Sequence, residues 1–168
     1  SVEGPFAAAV PDGGENLVLR AAQALADAAG VKARARIRLI KRLPVASGIG
    51  GGSADAAATL KALARLWNVR PASDDLERIA LAIGADVPVC VRSTPSFVGG
   101  IGEEIMPAPA LPDVWLVLAN PGVAVATAEV FGRRSGAFSQ SARFHAAPAD
   151  AGALAALLAE RSNDLPDA

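Results

Sequence analysis

Four glycines in the five residues Gly48-Ile49-Gly50-Gly51-Gly52 place the strongest constraint on this chain of 168 residues. Each glycine inside a helix or strand costs about 0.5–1 kcal/mol relative to alanine, so a cluster of them ends any regular element. With Pro44 just upstream, the spacing predicts a loop from Lys41 to Gly52. Beyond it, Ala56, Leu60, Leu63, Ala64 and Trp67 share one face and predict a helix from Ser53 to Trp67. A glycine loop entering a helix is suited to phosphate. Its backbone N–H groups approach oxygens closely, and the helix start carries unpaired N–H groups and partial positive charge. A bare glycine turn also serves as a linker or a helix-packing cluster, so the loop alone leaves that choice open.

The segments around it alternate between two periods. Leu17, Ala21, Leu25 and Ala28 form a helical stripe, with Asn16 placed to cap and Gly30 to stop. Val31, Ala33, Ala35, Ile37 and Leu39 alternate with Lys32, Arg34, Arg36 and Arg38, which predicts a half-buried strand with a basic, solvated face. Leu76, Ile79, Ala80 and Ile83 predict a helix capped by Ser73 and ended by Gly84. Val87–Val91 and Ser96–Val98 read as extended, and Val114–Ala119 as a buried strand. Thr127 to Phe131 reads as a short helix, residues 132–148 as loop and Ala149 to Glu160 as a last helix. This mixture of helices and strands indicates an α+β chain.

Composition narrows the function. Alanine supplies 39 residues while aromatics are 4% with no Tyr, so the core must be built from aliphatics and closely packed helices. The net charge of -1 gives no global attraction to nucleic acid or an anionic membrane, and no apolar run reaches the ~18 residues of a membrane span. One Cys and one His, Cys90 and His145, exclude a disulfide framework and a Cys/His zinc site. A cytoplasmic protein with a small-molecule partner is expected.

Common phosphate and nucleophile motifs fail on spacing. No Lys follows the glycines as a P-loop requires. Gly48-Ile49-Gly50-Gly51-Gly52-Ser53 ends in Ser where a dinucleotide fingerprint needs Gly, and Ser53 lacks the following Gly of a hydrolase elbow.

The stretch Pro44-Val45-Ala46-Ser47-Gly48-Ile49-Gly50-Gly51-Gly52-Ser53-Ala54 resembles the phosphate-binding motif of the GHMP kinases, the superfamily of galactokinase, homoserine kinase, mevalonate kinase and phosphomevalonate kinase. The triple glycine after Lys41-Arg42-Leu43-Pro44 is similar to one branch, which phosphorylates 4-diphosphocytidyl-2-C-methyl-D-erythritol. Glu15-Asn16-Leu17-Val18, Gly84-Ala85-Asp86-Val87-Pro88, Gly99-Gly100-Ile101-Gly102-Glu103, Asn120-Pro121-Gly122-Val123 and Asn163-Asp164-Leu165 resemble further motifs of that branch, in order. Ala54 stands where the family commonly has a second serine. The family's Ala-Lys-x-Asn motif and third glycine-rich motif do not occur in these residues, so the expectation is an internal fragment, inactive alone and prone to self-association through exposed edges.

The resemblance implies ATP-dependent phosphorylation of the substrate's 2-hydroxyl, with Mg2+, in the non-mevalonate isoprenoid pathway. It implies Asp86 as catalytic base and substrate contact, Pro44–Ala54 around the ATP phosphates, and Asn16 and Lys41 near the nucleotide base. Ser53 is a candidate magnesium contact, and Thr127 and Phe131 are candidate substrate contacts. Each has a plainer alternative: Asp86 as a turn or cap carboxylate, Asn16 as a cap, Phe131 as core. Glu103 and Glu104 are assigned no chemistry. The implied fold is part of an N-terminal ATP-binding domain resembling domain 2 of ribosomal protein S5 over residues 1–110, and the start of a ferredoxin-like C-terminal domain over 111–168. A non-catalytic nucleotide-binding or interaction module, or another GHMP kinase such as homoserine kinase, is the alternative.

Overall fold

The computed structural model describes residues 1–119, 127–135 and 137–165. They fall into two compact units, residues 1–94 with 98–106, and residues 95–97 with 107–168.

The first unit is built on four helices: α1 (Leu17–Ala29), α2 (Gly51–Leu66), α3 (Ser73–Ile83) and α4 (Val87–Arg92). Their shared core is Ala21 and Leu25 of α1, Ala56, Ala57, Leu60 and Leu63 of α2, Ile79, Ala80 and Ile83 of α3, and Val87 of α4. The abundance of alanine has its structural counterpart here. Ala21, Ala56 and Ala80 are fully buried, and a methyl group at a contact lets two helix axes approach closely. Two short strands, β1 (Val2–Glu3) and β2 (Leu39–Ile40), pair in parallel with Val2 opposite Leu39. β3 (Ser96–Gly99) and β4 (Glu104–Pro107) form a second two-stranded sheet, joined by the turn at residues 100–103.

Several expectations are corrected. The strand expected over 31–41 shrinks to Leu39–Ile40, and residues 31–38 are irregular. Ala33 and Ala35 are exposed, so two of the five residues of the supposed inner face bury nothing, and a methyl group offers little apolar area to pin a strand. The segment is tied down instead by the Trp67 indole, which donates to the Arg34 carbonyl at 3.0 Å. Val87–Val91 is helical, not extended. Pro88 lies in the first turn, where its missing N–H costs nothing, and Val87 is fully buried in the helical core. Ser73 is the first residue of α3 and makes no capping bond. In α1 the buried residues are Val18, Ala21, Leu25 and Ala26, whereas Ala28 is exposed. The glycine loop surrenders Gly51 and Gly52 to α2, which starts two residues early.

The second unit contains α5 (Thr127–Arg133) and α6 (Ala151–Ala159). Asp150 caps α6 by accepting from the Ala153 N–H at 2.8 Å. Phe97 and Phe144 meet edge-to-face at 5.4 Å, with the guanidinium of Arg161 above Phe144. The Asp164 carboxylate accepts from both the backbone and the hydroxyl of Ser139, which holds it below its ordinary pKa. The run expected as a buried strand at 114–119 is irregular, with Val114 half-buried and residues 115–119 exposed, Trp115 to 99% and Val117 to 96%. An apolar run becomes a strand only against a pairing neighbour, and among the described residues none pairs with it. The Asn120-Pro121-Gly122-Val123 motif lies outside the described residues. Among those described, no helix is long and apolar enough to cross a membrane.

Leu60 has no exposed surface and sits at the centre of the four-helix core. Leu60→Ala is expected to cost about 3 kcal/mol of stability through lost burial and the cavity it leaves, measured by urea denaturation. A loss under about 1 kcal/mol, the level of a tolerated volume-conserving core swap, would contradict this packing.

Candidate active site

The glycine loop roofs a cavity of about 420 Å³. Every residue from Pro44 to Ser53 lines it, together with Lys41, Asp55 and the start of α1 from Glu15 to Val18. The loop backbone explains why glycines are needed. Ala46, Gly48 and Gly50 have positive φ, at 55°, 73° and 69°, while Ser47 and Ile49 between them do not. Alternating the sign of φ turns successive N–H groups toward one side and makes a concave anion-binding nest. A Cβ at Gly48 or Gly50 would meet nothing nearby, so the requirement there is for backbone conformation and not for space.

The loop is carried between fixed ends. At one end Lys41 extends β2: its N–H donates to the Glu3 carbonyl at 2.7 Å. At the other, the Ala54 N–H donates to the Gly50 carbonyl as α2 begins. The two ends are joined beneath the loop by an ion pair, Lys41 Nζ to Asp55 Oδ2 at 2.7 Å. The Lys41 side chain is only 7% exposed, and its ammonium lies 3.4 Å from where a Cβ on Gly51 would stand. A buried charge of this kind is tolerated only with a close counter-charge.

Asn16 lines the same cavity while capping α1: its Oδ1 accepts from the Val18 N–H at 3.0 Å, and its Nδ2 donates to the Pro11 carbonyl at 3.2 Å. Its capping alternative is therefore real. Ser53 faces the cavity from the first turn of α2, whereas Ala54 is exposed and does not line it.

Asp86 does not line this cavity. It occupies the N-cap position of α4, and its side chain makes no capping bond, so the cap alternative has no support. Phe131, on α5, is exposed, which removes its core alternative; Thr127 begins the same helix. The residue that sequence reasoning missed is Asp55. The available signal was a carboxylate three residues after the glycines, with a lysine just before the loop.

One turn into α4, the half-buried Cys90 thiol is pushed above its ordinary pKa, first by burial and second by the Asp86 carboxylate, against a smaller opposing effect of Lys61. A raised pKa leaves less thiolate at a given pH, so iodoacetamide should alkylate Cys90 more slowly than a free thiol at pH 8. Asp86→Asn removes the negative neighbour and should speed the reaction at that pH. Unchanged kinetics would mean that the carboxylate does not face α4.

Fold and site together define an α+β domain in which a left-handed glycine loop opens a helix above a buried lysine. Residues 16–94 match the GHMP kinases N terminal domain, and this stretch of the chain is a domain of that family. It is 58% identical over 164 residues to the 4-diphosphocytidyl-2-C-methyl-D-erythritol kinase of Paramagnetospirillum magneticum, covering 98% of this chain and 57% of the relative. With the enzyme of the same name from Rhodospirillum rubrum it shares 48% identity, over 99% of this chain and 55% of the relative. A crystal structure of 4-(cytidine 5'-diphospho)-2C-methyl-D-erythritol kinase superposes with a TM-score of 0.61 at 34% identity, covering 80% of this chain and 47% of that one. The chain thus spans little more than half the length of the curated relatives it matches.

Proposed function

We propose that the protein to which these residues belong is a cytoplasmic small-molecule kinase that uses ATP to phosphorylate the 2-hydroxyl of 4-diphosphocytidyl-2-C-methyl-D-erythritol, a step of the non-mevalonate isoprenoid pathway. The observation that carries the reading is the glycine loop, with its alternating φ, standing over the Lys41–Asp55 pair. The names of the two bacterial relatives supply the substrate.

In this reading residues 1–110 are part of the ATP-binding domain, and residues 111–168 begin a second domain that carries the cytidyl contacts Thr127 and Phe131. Pro44–Ser53 hold the ATP phosphates through backbone N–H groups, aided by the dipole of α2, which is long enough for its N-terminal end to carry appreciable positive charge. Asn16 and Lys41, at the cavity wall, bound the remainder of the nucleotide. Magnesium would neutralise phosphate charge. Among the described residues no cluster of three or more acidic, His or Cys side chains stands ready to hold it, so the phosphates themselves and the Ser53 hydroxyl are the fitting ligands.

The acceptor is a tertiary alcohol, crowded and weakly nucleophilic. Asp86 takes the hydroxyl proton as the oxygen attacks the γ-phosphorus. The new P–O bond forms as the bond to the β-phosphate oxygen breaks, and ADP leaves with that electron pair. A carboxylate free of helix-capping duty is suited to accept a proton.

In the complete gene product, Asp86→Asn should lower turnover about 100-fold or more while ATP binding changes little, because an amide cannot take the proton. A coupled ADP assay showing near-normal turnover would remove Asp86 from the chemistry and leave a nucleotide-binding module. Gly50→Val should separately raise the ATP dissociation constant by about tenfold or more, since a β-branched residue is strained by well over 1 kcal/mol at φ 69°. Unchanged affinity by calorimetry would place the phosphates elsewhere.

A further inference from the structure

We propose that the turn between β3 and β4 is the brace that sets the direction of the Asp86 carboxylate, with Gly102 as a positioning residue that acts through the Ala85–Asp86 peptide; the inference rests on the reading of Asp86 as the base. Gly102 is buried, at φ 118°, and its N–H donates to the Gly99 carbonyl at 3.0 Å. A Cβ placed on it would lie 2.8 Å from the Ala85 carbonyl carbon and 3.1 Å from the Ala85 Cα, and would overlap the carbonyl oxygen outright. The turn is therefore seated directly on backbone, with no flexible side chain between to absorb a change.

What it touches matters more than how closely. The Ala85 carbonyl belongs to the peptide whose nitrogen is that of Asp86. The six atoms of a peptide move as a plane. A side chain at residue 102 must push that plane aside or rotate it, and rotation changes φ at Asp86 and swings its Cα–Cβ bond. The far end of α4 is anchored to the same sheet. Arg92 grips Glu77 of α3 through Nε and Nη2, at 2.9 and 3.1 Å, while its Nη1 donates to the Ile105 carbonyl of β4 at 3.2 Å. The six-residue helix α4 is thus fixed at its start by Gly102 and at its end by Arg92, with Val87 and Pro88 buried between. Asp86 is exposed; its carbonyl accepts from the Cys90 N–H at 3.3 Å, but its side chain makes no capping bond, so the aim of the carboxylate is set by this backbone frame.

The test is a double-mutant cycle in the complete gene product with ATP and the cytidyl substrate. Gly102→Ala should lower kcat by about 10- to 100-fold, the scale of a displacement near 1 Å, with the KM for ATP unchanged. In an Asp86→Asn background the same substitution should cost less than about threefold, because the group it misdirects is gone. Equal losses in both backgrounds would show that Gly102 acts only on folding or on another group, and would overturn the proposal. Should Gly102→Ala fail to fold, Arg92→Met releases the opposite end of α4 from a partly exposed position and must show the same non-additivity with Asp86→Asn. Additivity there also refutes the brace. Near-normal turnover of Asp86→Asn alone is a different failure: it removes the base, and the brace has nothing left to aim.

Discussion

The close packing of α1 against α2 is the contact on which the site depends. Ala21 of α1 and Ala56 of α2 are both fully buried, and larger side chains there would hold the axes apart. The consequence appears at the helix starts. A Cβ on Gly52 would stand 3.5 Å from Leu17 Cδ1, so the first turns of the two helices touch. Both first turns line the same cavity, residues 16–18 from α1 and 51–53 from α2. Two sets of N-terminal N–H groups therefore border one space, and the glycine loop adds a third from its own backbone. Electropositive character is supplied with a single ammonium, that of Lys41, and its charge is already matched by Asp55. A net charge of -1 for the chain is no obstacle to binding a polyanion when the attraction comes from oriented dipoles.

What could be read from the sequence follows from how each feature is encoded. α1, α2 and α3 repeat large aliphatics at helical spacing, and each Leu or Ile buried contributes about 1.5–3 kcal/mol, enough to fix a face. The glycine loop was legible because four glycines admit few alternatives. The stretch at 31–38 failed for the converse reason: alternation carried by Ala33 and Ala35 has the period of a strand but little of its burial energy. At 87–91 a short apolar run read as extended, yet the short link from Gly84 and a proline fit for a first turn left room for a helix packed through Val87. Tertiary contact overrode local preference.

The site divides along the same line. Pro44–Ser53, Asn16 and Lys41 line one cavity, while Ala54 and Asp86 do not. Asp55 escaped notice because its part depends on a lysine fourteen residues earlier, a distance at which neither helical nor strand period connects two side chains. Gly102 was seen only as one residue of a glycine-rich turn motif, and the part proposed for it escaped for a stronger reason. Its importance lies in which carbonyl stands behind it, and no local pattern reports a backbone contact seventeen residues away in sequence.

Backbone is also what links the two halves of the proposed chemistry. The proposed phosphate cradle is a succession of φ angles at residues 46, 48 and 50, and the proposed aim of the carboxylate rests on a peptide plane held at residue 102. Side chains can be exchanged at either place only if they leave the main chain where it is, which alanine at position 46 does at some cost in strain and no side chain at position 102 does. Ala46 in the left-handed region, in a loop otherwise served by glycine, shows the balance. A β-carbon there narrows the conformations open to the unfolded loop, so part of the strain is returned as a smaller loss of entropy on folding. At Gly102 that exchange is closed, because the obstacle is not conformational preference but the carbonyl of Ala85.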